Sequence, residues 1–467
     1  MRNFLMPRVP TYSVNCFMKF TFLLCASTIV TIFTILFRQG DDIPSLVWHS
    51  SNIRIETLHS DWQEIRETKF AEFSNDTYKP KYFVYSAHLD IYKNVLRIIA
   101  VTPLLSKQKL HCHIFDGELQ PVGVFEGIIS ATKNPQSYLP YSAAYILCKP
   151  EVNLFRTLKY VSISPFPHHN SSHGFSNLLP INLPPAKSEK EPHTFSVCVQ
   201  PTFDYDNVAE FIQWMEFYKN MGVTHFTFYN MSIGPRVSCV MKSAAVNQET
   251  GITILNWTVP IKDHLQLHVN GQLAQQNDCL LRYRGVTKYL VLVDFDELII
   301  PNYVYASDFF DLVTLMDNEW SSQPRNGSLA QYKFRSAIFD FDFSNLSDVK
   351  KDIYKDSFEL EDLIVYKYVI RQRDLYPSKI RSKLITMPWR VLEPGVHFLD
   401  KAVDDRTEFE IDPEIAYVHH YRRFYHCKDN HTCYKIPQSL DYLAHFYADN
   451  LYKKARNVID KLVAECS

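Results

Sequence analysis

The sequence predicts an α/β protein, with a main domain on a mostly parallel sheet, a small β-rich domain before it and a transmembrane helix at the N-terminus. Three observations carry this. From Phe195 onward, short apolar runs alternate with amphipathic helical patterns. Residues 80–164 hold short apolar or alternating runs such as Tyr82 to Ser86 and Val95 to Val101, without a helical period. Phe20 to Phe37 is eighteen residues without a charge; as a helix it would span roughly 27 Å, close to a bilayer's hydrocarbon thickness.

The order that follows is a cytoplasmic tail (1–19), an anchor (20–37), a polar stem (38–79), the β-rich domain (80–164), a proline-punctuated linker (165–193), the main domain (194–440) and a helical C-terminal segment (441–467). Arg2, Arg8 and Lys19 precede the anchor, while Asp41 and Asp42 follow it, so the N-terminus is expected to stay cytoplasmic and the bulk to be lumenal. Seven N-x-S/T sequons and eight cysteines beyond the anchor fit that oxidising side. Spacing alone does not choose their pairing, although Cys427 and Cys433 are the best short-range pair. Lys plus Arg (49) nearly balance Asp plus Glu (51), which gives no electrostatic case for a nucleic-acid partner.

Within the main domain, Phe195 to Val199, Thr224 to Tyr229, Ile252 to Asn256 and Tyr289 to Val293 read as strands. Asn207 to Asn220, Arg236 to Val246 and Gly271 to Tyr283 read as the helices between them. No G-x-G-x-x-G follows the first strand and no G-x-x-x-x-G-K-[ST] loop occurs, so dehydrogenases and P-loop enzymes lose their support. The last strand ends in Asp294-Phe295-Asp296-Glu297. Residues two apart in an extended chain share a face, and two carboxylates on one face suit a hard divalent cation such as Mn²⁺ or Mg²⁺. An acidic triplet of this kind also caps turns; its place at the carboxyl end of a parallel strand, where ligands of such sheets bind, favours the metal.

Several ordered motifs resemble glycosyltransferase family 92. They are Val197-Cys198-Val199-Gln200-Pro201, the run Gly222-Val223-Thr224-His225-Phe226-Thr227-Phe228-Tyr229-Asn230, Asn277-Asp278-Cys279-Leu280-Leu281-Arg282, and the acidic segment itself. Ser382-Lys383, Gly395-Val396-His397 and His420-Tyr421-Arg422 look like later landmarks of that family, and Tyr85-Ser86-Ala87-His88-Leu89-Asp90 like its motif before the transferase domain. The resemblance implies a Rossmann-like GT-A domain in a single-pass type II Golgi membrane protein. It also implies inverting transfer of galactose from UDP-galactose to a hydroxyl of a glycoprotein glycan, with Mn²⁺ or Mg²⁺. A transferase of another UDP-sugar and a non-catalytic glycan-binding protein are the alternatives.

On that reading Asp294, Asp296 and His397 hold the metal, with His420 as second choice to His397. Pro201, Thr202, Tyr229, Asn230 and Asp278 meet the nucleotide, and Glu210 either joins them or caps its helix. Lys379, Arg381 and Lys383 alternate and, as a strand, would line one face toward the diphosphate. Inverting transfer also needs a carboxylate to take the acceptor proton; Asp340, in Phe339-Asp340-Phe341-Asp342-Phe343, is the candidate, although the alternation there is better explained by an amphipathic strand.

Overall fold

The computed structural model describes residues 56–58, 61–65, 81–132, 138–168, 176–185, 191–243, 246, 250–261, 263, 265–322, 328–344, 358–424 and 435–466. The expected anchor, Cys427, Cys433 and five of the seven sequons lie outside them. No helix of the described residues is long and apolar enough to cross a membrane.

The main sheet has eight strands. Its order in space is Glu56–Leu58, Gly251–Asn256, Val223–Asn230, His193–Val199, Thr287–Val293, Lys383–Thr386, Leu329–Phe334 and Thr407–Glu410. The first five are mutually parallel, as the alternation of strand and helix requires. Lys383–Thr386 then runs antiparallel to both of its neighbours. The helices fall where periodicity put them, Val208–Asn220 with Asn207 as its N-cap, Pro235–Lys242 and Gln272–Tyr283. A second sheet of three strands, Glu297–Pro301, Ala416–Arg422 and Ser336–Asp340, continues the acidic strand beyond its end.

Strand periodicity explains why the central strands read as continuous apolar runs. Phe195, Val197 and Val199, with Tyr289, Val291 and Val293, enter a core closed by Val208–Asn220, Phe309–Ser322 and the C-terminal helix Ala448–Cys466. Cys198, Leu290 and Leu292 point the other way, into a core shared with Leu273, Leu280 and the front domain. Both faces are dry, so both must be apolar.

The front domain is a closed β-barrel. Seven strands pair in the order Phe83–Asp90, Val95–Pro103, Tyr141–Cys148, Pro121–Ala131, Leu110–Phe115, Tyr160–Ser164 and Leu179–Asn182, and the last returns to pair with the first. The closing strand comes from the segment expected to be linker, and Gln63–Glu64, from the expected stem, adds to the same sheet. Closure removes exposed edges. Val84, Ala87, Leu89, Leu96, Ile98 and the Cys112–Cys148 disulfide fill the interior. A register shift between Val84 and Ser86 turns Tyr85, Ser86 and His88 outward, toward the main domain.

There they meet Asp278. Its carboxylate is fully buried and accepts hydrogen bonds from Tyr229 Oη (2.7 Å) and Arg282 Nε (2.6 Å), lies 2.9 Å from His88 Nε2, and also bonds Ser86. Burial opposes ionisation, but Arg282 and His88 outweigh it and hold the carboxyl well below the usual range. Asp90, Arg97 and Arg284 form a second buried cluster across the same junction. Two further disulfides, Cys198–Cys279 and Cys239–Cys466, tie the first strand and the terminal helix to neighbouring helices.

Candidate active site at the end of the acidic strand

The strand stops at Val293, one residue before the acidic pair. Asp294, Phe295 and Asp296 therefore lie in a tight turn, closed by Glu297 N donating to the Asp294 carbonyl at 3.3 Å. Phe295 drives this. Its ring is buried, stacked on Tyr205 at 4.4 Å and packed edge-on to Trp214 at 5.1 Å. With Phe295 anchored inward, the flanking carboxylates diverge to different partners instead of sharing one strand face, which corrects the expectation from alternation.

Asp294 Oδ2 accepts from Lys383 Nζ at 2.8 Å, and the same ammonium lies 2.7 Å from Glu297. Gln272, at the start of its helix, reaches Asp294 Oδ1 at 3.5 Å. Asp296 turns to the three-stranded sheet, where His420 Nε2 lies 3.1 Å and Arg422 Nη1 3.7 Å from its Oδ2. Burial and the neighbouring Glu297 push the Asp294 carboxyl up against the pull of Lys383. Burial pushes Asp296 the same way, but His420 and Arg422 overcome it and hold it below its ordinary value. Burial disfavours a charged Lys383, yet Asp294 and Glu297 raise it, so it stays an ammonium.

Asp296, Glu297 and His420 are the one group of three or more His, Cys, Asp or Glu side chains among the described residues whose ligand atoms all lie within 4.8 Å of one another. His420 Nδ1 is buried without a hydrogen-bond partner and sits 3.4 Å from Glu297 Oε1. Two carboxylates and an imidazole around an unsatisfied nitrogen are a donor set that fits Mn²⁺. Glu297 and Arg422 are the residues that sequence reasoning left without a role. Both adjoin motifs it used, but only the pairing of Glu297–Pro301 with Ala416–Arg422, Glu297 opposite His420, brings them to one place.

The other expected residues fall differently. His397 Nδ1 donates to the Ser382 carbonyl (3.0 Å) and stands outside the three-residue group; burial, helped by Lys383, lowers it to about 4. Pro201 and Thr202 lie just beyond the first strand, which ends at Val199, and Thr202 makes an isolated bridge to Asn230. Asn230 uses its side-chain oxygen to hold Ile233 N at 2.9 Å. Tyr229 and Asp278, expected at the nucleotide, instead bond each other inside the junction with the barrel and face away from the site. Both side chains are fully buried, so neither is placed to meet the nucleotide.

Lys379, Arg381 and Lys383 do not line a strand face. Lys379 and Arg381 adopt left-handed backbone (φ 68 and 56°) in a turn, and the strand begins only at Lys383, whose charge is already shared by two carboxylates. Asp340 is fully buried; one oxygen accepts from Asp342 N at 3.0 Å and the other from Phe424 N at 2.9 Å, so it organises backbone and has no access to an acceptor hydroxyl. Glu210 reinforces its helix start, its carboxylate accepting from Asn207 Nδ2 at 3.0 Å. It also lines a cleft with Asp296, Trp214 and Tyr421, where burial and the Asp296 charge push it up to about 8.

Residues 193–459 match the model of glycosyltransferase family 92, and the chain belongs to that family. Among curated proteins it is similar to the beta-1,4-galactosyltransferase galt-1 of Caenorhabditis elegans, 23% identical over 274 residues, which cover 58% of this chain and 56% of that protein. It is also similar to the glycosyltransferase family 92 protein F13G3.3 of the same organism, 30% identical over 131 residues, 26% of this chain and 25% of that one. The matches thus span about half of the first relative and a quarter of the second.

Proposed function

We propose that this chain transfers a hexose, galactose in the first instance, from a UDP-sugar to a hydroxyl of a glycoprotein glycan with inversion. The observation that carries this reading is the convergence of Asp296, Glu297 and His420 at the carboxyl end of a parallel strand, in a chain of glycosyltransferase family 92. Galactose as the donor sugar is supported by the name of one relative, a beta-1,4-galactosyltransferase.

Asp296, Glu297 and His420 would hold the divalent ion, which when bound supplies positive charge to the departing diphosphate. Around it, Lys383 bridges Asp294 and Glu297 and fixes their direction, and Gln272 reaches Asp294 Oδ1. Phe295, packed on Tyr205 and Trp214, keeps the turn from collapsing into the cleft. The three disulfides support an oxidising compartment, in keeping with a type II Golgi membrane protein whose catalytic part is lumenal.

The test is a donor screen with the full-length chain against UDP-galactose, UDP-N-acetylglucosamine and UDP-glucuronic acid on glycoprotein glycans, with and without EDTA. Metal-dependent transfer with inverted anomeric configuration is the expected result. Full activity in EDTA, or no turnover of any UDP-sugar, would overturn the reading.

A further inference from the structure

We propose that Arg381 and Arg422 form a guanidinium pair that takes the diphosphate of the nucleotide-sugar donor, with Phe424 as their shared platform. This rests on the nucleotide-sugar reading above; it keeps Arg381 from the expected basic run and adds Arg422, which neither alternation nor the acidic motif supplies. The Arg381 guanidinium carbon lies 4.4 Å from the centre of the Phe424 ring and 5.3 Å from that of Tyr376. Arg422 approaches the same Phe424 ring at 6.0 Å. Two like charges on one ring repel, and the π-face offsets only part of that.

Nothing else in the described residues neutralises Arg381: no carboxylate lies within ion-pair distance of it. Arg422 touches Asp296 only at 3.7 Å, beyond hydrogen-bond range, and its side chain is 45% exposed. Asp296 already serves His420, so its single charge does not satisfy both. His420 and Arg422 are two apart on one strand, so they share a face and present to the same side of the turn. Arg422 therefore borders the three-residue group, and Arg381 stands on the same Phe424 ring without a carboxylate of its own among the described residues. A pyrophosphate, with oxygens spaced for bidentate guanidinium contacts, is the anion whose chemistry matches.

The surrounding structure holds this pair in place. Asp340 fixes the Phe424 backbone through its buried carboxylate, and strand register sets Asp340 opposite Arg422. Arg381 reaches the ring from a left-handed residue (φ 56°), a conformation that L side chains rarely adopt. Lys383, expected at the diphosphate together with Lys379 and Arg381, is spent on Asp294 and Glu297.

Calorimetric titration of the full-length chain with UDP and with uridine separates the possibilities. Arg422→Ala and Arg381→Ala should each weaken UDP binding by about tenfold or more, the loss of a charge-assisted contact, and leave uridine binding unchanged. Arg422→Lys should recover part of the loss, and Phe424→Leu should show the same selective defect while keeping apolar volume. Because Arg422 is substantially exposed, its variants keep the test open even if Arg381→Ala unfolds. Wild-type affinity for UDP in the Arg422→Ala and Phe424→Leu proteins overturns the arginine assignment alone. Equal losses for UDP and uridine overturn it too, as general damage to the site. Wild type that binds no UDP overturns both this inference and the function beneath it.

Discussion

His420 Nε2 lies 3.1 Å from Asp296 Oδ2, although 124 positions separate them in the chain. The contact exists because the strand leaving the acidic turn pairs antiparallel with Ala416–Arg422. It decides which histidine completes the candidate metal group.

Asp296→Asn keeps size and shape but removes one charge from that group. Turnover of the UDP-sugar is expected to fall at least about a hundredfold in a protein that still folds. His420→Ala should weaken Mn²⁺ binding measured by calorimetry, whereas His397→Ala, outside the group, should leave it near wild type. The reverse pattern for the two histidines would return the metal to His397.

The buried junction at Asp278 predicts that the barrel and the main domain fold as one unit. Asp278→Asn leaves Arg282 and the His88 side in a dry interface with the charge balance broken, a loss of about 3–5 kcal/mol. A single cooperative transition at lower temperature should appear in calorimetry. Two separate transitions, with only one shifted, would show that the domains are independent.

Cys239–Cys466 closes a loop of 227 positions and pins the terminal helix against Pro235–Lys242. Restricting so long a loop in the unfolded chain is worth about 5 kcal/mol in the entropic account. Cys239→Ser should lower the denaturant midpoint and expose the terminal helix to proteolysis first. An unchanged midpoint would assign the bridge no role in stability.

His419 is fully buried between Phe339 and Tyr417, and burial lowers it to about 4 from an ordinary 6.5. Between those values the unfolded chain binds a proton that the folded chain does not, so stability is complete above about 6.5 and is lost as pH falls. The contribution is at most about 3 kcal/mol. His419→Gln should flatten the pH dependence of melting over that window; an unaltered slope would show that other groups cause it.

The short continuous apolar runs, the helical period between them and the absence of glycine fingerprints determined the α/β class and placed Asp294 and Asp296 at the ligand edge of the sheet. Those are local signals, because every strand between two dry layers must be apolar on both faces. Partners and directions were not local. Phe295 packing into the core splits the two aspartates, Ser86 and His88 of the barrel strand Phe83–Asp90 meet Asp278 in the buried junction, and Asp340 turns to the amide of Phe424. Glu297, His420, Arg381 and Arg422 come together only through strand register and turn geometry between distant segments, which the tertiary structure alone decides.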